Sequence, residues 1–180
     1  RIDAQTSGLV LVAKNKPTST RLKTLFEQRQ FTKEYLAVVQ GKITSDITIN
    51  KPISKADSNI RVKMTCEVES GKHSVTHIKP IAFNQQTNTT LVKAMPITGR
   101  QHQIRVHLDS IGHSILGDPI YGVSEQIAND YLCKALSSEQ RVVLTGAKRL
   151  MLHANYLSFI DQDQEYSITS KMTDSVFSNY

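Results

Sequence analysis

One segment of the sequence, residues 98–122, constrains the fold and the chemistry of this chain more than any other. Within it, four residues recur at steps of three or four positions, which predicts one packed face of a helix over 101–111. Arg105 lies off that face, so its guanidinium is free to project into a cleft, and Gly112 is expected to end the helix. The residues of the packed face are Ile104, His107, Leu108 and Ile111.

The composition is that of a globular protein with an excess of positive charge. The chain has 180 residues, of which 39% are hydrophobic and 21% charged, enough for one domain with its own core. Lys and Arg number 22 against 16 Asp and Glu, which gives a formal net charge of +6. A basic domain fits a nucleic-acid partner, although many basic domains bind no nucleic acid.

The cysteines and the apolar segments argue against a zinc protein, a disulfide-bonded protein and a membrane protein. Cys66 and Cys133 lack a Cys-x-x-Cys pattern and have no histidines at zinc-ligand spacing. We therefore expect reduced thiols, a cytoplasmic protein and no metal site. No apolar run approaches the roughly 20 residues that a transmembrane helix needs, so we expect no membrane partner. The chain begins at Arg1 rather than at a Met, from which we expect that residues upstream are missing.

The pattern along the chain predicts a mixture of strands and helices. Helical spacing after Pro17 predicts an amphipathic helix, and 125–136 is a second candidate, whereas 137–149 is expected to be a polar loop or a short β excursion. Predicted strands cover 8–14, 31–40, 47–49, 62–69, 74–83, 89–94, 150–159 and 165–170. We therefore expect an α+β domain built on a mixed, mostly antiparallel sheet that is flanked by helices and loops.

Three short strings carry side chains suited to chemistry, and each also has a purely structural interpretation. Asp3 stands in Arg-Ile-Asp-Ala-Gln-Thr-Ser-Gly, where an aspartate alone would be a turn residue or a cap. Tyr35 stands in Lys-Glu-Tyr-Leu-Ala-Val-Val-Gln-Gly, where a tyrosine alone would be a core aromatic. The third string crowds donors into eight residues and would also suit a solvated basic helix. Its donors are Arg100, His102, Gln103, Arg105 and His107.

Taken together, these strings resemble the RluA-type family of RNA pseudouridine synthases. The family has Arg-Leu-Asp-x-x-Thr-Ser-Gly, Lys-x-Tyr-x-Ala-x-Val-x-Gly and Gly-Arg-x-His-Gln-Ile-Arg-x-His-Leu in this order, followed by Gly-Asp-Pro-x-Tyr-Gly and Leu-His-Ala-x-x-Leu-x-Phe. The chain departs at Ile2, where the family has Leu, and at Ser114, where it more often has Pro. The resemblance runs from Arg1 to about Phe159, with a poor match over 123–149.

The resemblance implies the pseudouridine synthase fold, with a catalytic cleft across the sheet, and a role for individual residues. Asp3 corresponds to the catalytic nucleophile and Arg105 to the arginine that forms an ion pair with it. An arginine beside a buried aspartate also favours the ionised carboxylate. Tyr35 corresponds to a tyrosine that lies against the target base and is implicated in proton transfer. The residues expected to contact RNA or the substrate are Arg1, Thr6, Arg100, His102 and Gln103.

Other residues of the shared strings are expected to be structural. His153 is interpreted as a hydrogen-bonding residue of the core rather than a catalytic base. Gly117, Asp118 and Gly122 are expected to form a turn that positions its neighbours.

The resemblance further implies an isomerase that converts uridine into pseudouridine in structured ribosomal or transfer RNA, with no cofactor and no metal. We expect residues 1–180 to form one monomeric catalytic domain, with any RNA-binding module, such as an S4-like domain, located upstream of this chain. One alternative is a non-catalytic RNA-binding domain that uses the same basic cleft. A second is a hydrolase that uses Asp3 and a histidine, but no Gly-x-Ser-x-Gly string or metal-ligand spacing supports it.

Overall fold

A seven-stranded mixed sheet forms the centre of the molecule. The computed structural model describes residues 3–67, 70–171 and 177. Its strands are β1 (Ser7–Gly8), β2 (Thr32–Gln40), β3 (Ile47–Asn50), β4 (Ser54–Lys55), β5 (Met64–Thr65), β6 (Val75–Asn84), β7 (Thr89–Pro96), β8 (Leu152–Asp161) and β9 (Gln164–Thr169). The main sheet has the order β1-β8-β2-β7-β6-β3, with β9 also paired to β8, and β4 and β5 form a separate small sheet. In the main sheet only the pairing of β1 with β8 is parallel among the described strands.

Helices and loops flank this sheet, as predicted for an α+β domain. The helices are α1 (Lys16–Glu27), α2 (Gln103–Asp109), α3 (Glu125–Leu132) and α4 (Ser138–Thr145). Asn15 caps α1 by accepting a hydrogen bond from the backbone N–H of Thr18, and Pro17 follows in the first turn, where its missing N–H costs nothing. Within the described ranges, no helix is both long and apolar enough to span a bilayer.

Strand β2 is the central strand, because it pairs with β7 on one side and β8 on the other. Ala37, Val38 and Val39 are at most 1% exposed, so both faces of this strand are covered. The register places Tyr35 opposite Ala94 of β7 and Ala154 of β8. These two small side chains leave room above the sheet on the face that Tyr35 occupies, and a pocket lies there.

Helix α2 is shorter and more deeply buried than the sequence predicts. It begins after His102, whose φ of 55° lies in the left-handed region, so residues 101 and 102 cannot continue the right-handed helix. Every residue from Gln103 to Leu108 is buried, whereas the apolar spacing had predicted one packed face. At the other end the chain turns at Gly112, whose φ of 79° favours glycine.

The prediction of a buried strand over 8–14 is wrong. The strand ends at Gly8, where an added Cβ would lie 2.2 Å from the carbonyl oxygen of Ala154. After the Leu9 N–H donates to that same carbonyl, the chain leaves the sheet. Val10 and Val12 are 56% and 75% exposed, whereas Leu11 and Ala13 pack against a small apolar cluster. The apolar run is therefore a half-covered segment outside the sheet, not a buried strand.

The prediction of a polar loop or β excursion over 137–149 is also wrong, because this segment contains α4. The Ser137 hydroxyl accepts from the Gln140 N–H while the Gln140 side chain accepts from the Ser137 N–H, a complete capping box. Gly146, with a φ of 81°, ends the helix. Of the strand predicted over 62–69, Met64–Thr65 forms and residues 68–69 lie outside the described residues.

Candidate active site

The three residues expected to be catalytic meet in one pocket. Asp3 enters from the turn before β1, Tyr35 from the central strand β2, and Arg105 from the buried helix α2. The pocket has a volume of about 380 Å³ and its walls are partly apolar. The apolar wall consists of Leu9, Val10, Leu11, Phe26, Pro96, Ile104, Leu152, Ala154 and Leu157. An apolar cavity with a few convergent polar groups is typical of a site for a small molecule or a nucleobase.

Asp3 forms an ion pair with Arg105. The Arg105 Nη1 donates to Asp3 Oδ2 over 3.1 Å, and the Arg105 side chain is 5% exposed while that of Asp3 is 28% exposed. The Asp3 carbonyl accepts a hydrogen bond from the Thr6 N–H, which closes the turn that presents the carboxylate. One Asp3 oxygen therefore faces a fixed cation, and the partial exposure leaves the carboxylate accessible from the pocket.

Arg105 is itself held by a second carboxylate, Asp118. The Arg105 Nε and Nη2 donate to the two Asp118 oxygens over 2.7 and 2.8 Å, and Asp118 is 1% exposed. The same carboxylate accepts from the N–H groups of Ile120 and Tyr121. Burial alone would lower the pKa of Arg105, but hydrogen bonds and the charge of Asp118, with a smaller contribution from Asp3, raise it above its usual range.

The sequence predicts a structural turn at Asp118 but no contact between Asp118 and Arg105. The turn is present, since Asp118 accepts from two backbone N–H groups within it, but the carboxylate also fixes the guanidinium that faces Asp3. A buried arginine needs more acceptor oxygens than one carboxylate supplies. That requirement, together with the Gly-Asp-Pro string that follows α2, was the available signal for a second partner.

His102 and Tyr121 form a second hydrogen-bonded pair beside Asp3. The Tyr121 hydroxyl accepts from the Met64 N–H and lies 3.0 Å from His102 Nδ1, while His102 Nε2 lies 4.0 Å from Asp3 Oδ2. Burial, followed by the charge of Arg105, lowers the pKa of His102, against the opposing charge of Asp3. Burial also raises the pKa of Tyr121, which keeps its hydroxyl protonated.

The directions of these pKa shifts indicate which atoms of His102 and Tyr121 carry protons. Because the Tyr121 oxygen already accepts from Met64, its own proton is available to His102 Nδ1, and a neutral ring then carries its proton on Nε2. His102 thus presents an N–H toward Asp3 without adding a charge. Tyr121, which lies in the Gly-Asp-Pro-x-Tyr-Gly string, was not among the predicted site residues. The centre of its ring lies 5.1 Å from the Arg105 guanidinium carbon.

Tyr35 lies in the same pocket as Asp3 and keeps its proton. Burial, followed by the nearby charge of Asp3, raises the pKa of Tyr35 above its ordinary value of 10.0. A neutral phenol in this position offers both a flat ring and a hydroxyl to a bound planar group.

The residues expected to bind substrate are placed differently from one another. Thr6 and His102 line the pocket, as does Arg100, whose guanidinium donates to the His73 carbonyl over 3.3 Å. Gln103 also borders the pocket, but the oxygen and the nitrogen of its side-chain amide both form hydrogen bonds within the protein. Its oxygen accepts from the Thr98 hydroxyl and the Arg100 N–H, and its nitrogen donates to the Val75 carbonyl and the Thr76 hydroxyl. We therefore infer that Gln103 positions the 98–100 loop.

Two further predictions concern residues away from the pocket centre. Arg1 lies outside the described residues. His153 is 1% exposed and bonds to the hydroxyls of Ser7 and Ser170, which fits its interpretation as a hydrogen-bonding residue of the core. In the part of the chain that the structure describes, no three His, Cys, Asp or Glu side chains come close enough to hold a metal ion.

The fold agrees with the sequence family of the protein. The chain belongs to the RNA pseudouridylate synthase family, whose model matches residues 1–110. A solved structure of human RNA pseudouridylate synthase domain containing 1 superimposes with a TM-score of 0.76 at 29% identity, covering 96% of this chain and 67% of the human chain. The predicted family and the predicted α+β fold are thereby confirmed.

Two bacterial relatives are similar over most of this chain. An uncharacterized RNA pseudouridine synthase of Helicobacter pylori strain J99 is 39% identical over 96% of the chain, and this match covers 57% of the relative. Ribosomal large subunit pseudouridine synthase D of Zymomonas mobilis is 37% identical over 89% of the chain, which covers 47% of that relative. The chain thus spans about half the length of these relatives.

Proposed function

We propose that the protein converts specific uridines of structured RNA into pseudouridine, with Asp3 as the nucleophile. The ion pair between Asp3 and Arg105 in the pocket across the sheet carries this proposal. A carboxylate that a fixed guanidinium holds in place is positioned to attack. Membership of the RNA pseudouridylate synthase family supplies the class of reaction.

The target uridine must leave the RNA stack to reach Asp3. Flipping a nucleotide costs a few kcal/mol, and contacts to the RNA backbone offset this cost. The pocket, at about 380 Å³, falls in the size range of small-ligand sites, and its apolar walls suit the faces of a pyrimidine. Tyr35 then lies beside the flipped base, and Thr6, Arg100 and His102 supply polar groups around it.

The reaction exchanges one bond of the ribose for another. The bond from ribose C1′ to uracil N1 breaks, the uracil turns, and a bond from C1′ to uracil C5 forms; the proton on C5 leaves and N1 gains a proton. Asp3 attacks either the ribose or the base. Arg105 holds the Asp3 carboxylate in place, and the protonated phenol of Tyr35 takes part in the proton exchange. Since nothing is consumed, the scheme needs no cofactor.

The same geometry does not favour a domain that only binds RNA. Phosphates repel a carboxylate, so a surface built for binding alone would gain nothing from Asp3 in the pocket. The ion pair of Asp3 with Arg105 and the neighbouring Tyr35 are what a catalytic site requires.

We further propose a monomeric protein of the cytoplasm, because the reduced cysteines fit that compartment.

Nucleoside analysis of treated RNA tests this function. Unmodified large-subunit ribosomal RNA and transfer RNA would be incubated separately with the full-length protein, digested to nucleosides and separated by chromatography. Pseudouridine in one of the two RNAs is the expected result, and that RNA identifies the substrate class. RNA that is bound tightly but contains no pseudouridine would instead indicate an RNA-binding domain.

A further inference from the structure

A basic groove opens into the Asp3 pocket from the side of α1. It has a volume of about 420 Å³ and lies between the end of α1, the start of β2 and the 97–100 loop. The groove and the pocket are continuous, because one set of residues lines both. The shared residues are Phe26, Lys33, Thr98, Gly99 and Arg100.

The charges along this groove are almost all positive. Among the residues that the structure describes, four cationic side chains line it against one carboxylate, Glu27, which lies 3.7 Å from Lys23. For Arg29, Lys33 and Arg100, no carboxylate of the described residues comes within 4 Å of the cationic nitrogens. The Arg100 guanidinium donates to the neutral His73 carbonyl, which fixes its position and leaves its charge uncompensated.

Lys33 is the most informative of these cations. It lies two residues before Tyr35 on β2, where the groove meets the pocket, and it is only partly exposed. Burial lowers the pKa of Lys33, with no opposing carboxylate to raise it. A partly desolvated ammonium without an anionic partner is costly, and an incoming phosphate would compensate that cost. By contrast, Lys93 on the neighbouring strand pairs with Glu34 over 2.8 Å.

The groove also has an aromatic surface. The Phe26 ring stacks on Phe31 with a centroid distance of 3.8 Å, and Phe26 remains 44% exposed. A supported aromatic ring beside unpaired cations is the combination that binds single-stranded nucleic acid, since the ring stacks on a base while the cations meet phosphates.

We infer that this groove binds the RNA strand that flanks the target uridine, with Lys33 binding a backbone phosphate at the entrance of the pocket and Phe26 stacking on a base. Arg29 meets a phosphate farther along the strand, and Arg100, which lines both cavities, contacts the RNA where the groove joins the pocket. The inference rests on the proposed function, because it takes the pocket to be the site of the flipped uridine. It adds the direction from which the RNA strand enters and the residues that hold it.

Equilibrium binding of unmodified large-subunit ribosomal RNA and of transfer RNA, each at several salt concentrations, tests the role of Lys33. The full-length protein would be compared with Lys33→Met, Lys33→Arg and the control Lys79→Met. Lys79 is exposed on β6, and the register places it on the face of the sheet opposite Tyr35. We expect Lys33→Met to bind severalfold more weakly and to lower the slope of log K against log salt by about 0.7, the value for one lost phosphate contact. Lys33→Arg is expected to retain the slope, and Lys79→Met to match the parent.

A folded Lys33→Met protein with the same affinity and salt slope as Lys79→Met would overturn the inference. For the aromatic surface, Phe26→Leu keeps the packing on Phe31 but removes the stacking face. It should weaken binding about tenfold with an unchanged salt slope, because stacking releases no counterions. A Phe26→Leu protein that binds as tightly as the parent would overturn the stacking contact.

Pseudouridine formation, measured in the same samples, separates this inference from the proposed function. If the parent forms pseudouridine while Lys33→Met binds like the control, the proposed role of the groove is refuted and the proposed function is supported. If binding depends on Lys33 but the parent forms no pseudouridine, the groove is supported as an RNA site and the proposed function is refuted.

Discussion

Asp118 and Asp3 bind the same arginine from two sides. Arg105 gives two hydrogen bonds of 2.7 and 2.8 Å to the buried Asp118 and one of 3.1 Å to the more exposed Asp3. The shorter pair fixes the guanidinium plane before any substrate is present. Asp3 therefore meets a cation whose position it does not have to determine, which is the kind of preorganisation that a reacting carboxylate needs.

Asp118→Asn should therefore affect both stability and activity. The amide keeps the shape of the side chain but removes the charge that compensates the buried Arg105, and breaking a buried ion pair costs about 3–5 kcal/mol. Urea unfolding of the parent and the variant measures this difference, and turnover of RNA should fall as Arg105 loses its fixed position. A stability change below about 1 kcal/mol would show that Asp118 does not hold Arg105.

Arg105→Lys should impair catalysis although the charge is retained. The planar guanidinium contacts both oxygens of Asp118 and one oxygen of Asp3. An ammonium is a point charge and cannot contact all three. We expect kcat to fall by about 100-fold from misplacement of the nucleophile. Single-turnover kinetics at saturating RNA measures this effect, and a lysine variant with parental kcat would contradict the role of the shared arginine.

Tyr35→Phe removes the hydroxyl of Tyr35 and keeps its ring, so it distinguishes the contributions of the two. The ring still packs beside the base, so RNA affinity and stability should stay close to those of the parent. If the phenol takes part in proton exchange, kcat should fall by about 100- to 10,000-fold, the usual range for a lost general acid or base. Comparison of kcat with the Kd for RNA checks this division, and an unchanged kcat would limit Tyr35 to packing.

The His102 ring should make the protein less stable in acid. Its pKa is lowered by burial and by Arg105, so the unfolded chain takes up a proton near the ordinary value of 6.5 while the folded protein does not. The free energy of unfolding should therefore decrease as the pH falls below about 6.5, and His102→Gln should remove part of that decrease. His107, whose pKa is also lowered by burial, accounts for a further part. Urea unfolding from pH 7 to pH 5 would test this, and an identical pH dependence in His102→Gln would contradict the assignment of a neutral ring.

The sequence predicted the site better than it predicted the local structure. Asp3, Tyr35 and Arg105 could be brought together because their strings resemble those of a known family, although they are far apart in the chain. The segment 9–14 could not be placed, because an apolar run has the same composition whether it enters a core or crosses a surface. The chain leaves the sheet after the pairing of Gly8 with Ala154, where the φ of Gly8 is 103° and the backbone is no longer extended.

Helix α4 and Asp118 were missed for different reasons. The capping residues Ser137 and Gln140 were visible, but the short apolar spacing between them and Gly146 gave too weak a helical pattern. Asp118 was correctly placed in a turn, yet a carboxylate that caps a turn and one that binds an arginine have the same local sequence. Only the packing of α2 shows that it does both.

Release of tritium from RNA labelled at C5 of uridine tests the central role of Asp3 most directly, since that proton leaves only when the new bond forms. The full-length parent, Asp3→Asn and the control Asp57→Asn, which changes a carboxylate that does not line the pocket, would be compared at RNA concentrations that saturate binding. We predict release by the parent and by Asp57→Asn, with none by Asp3→Asn despite normal RNA binding. Release by Asp3→Asn at the parental rate would contradict Asp3 as the nucleophile.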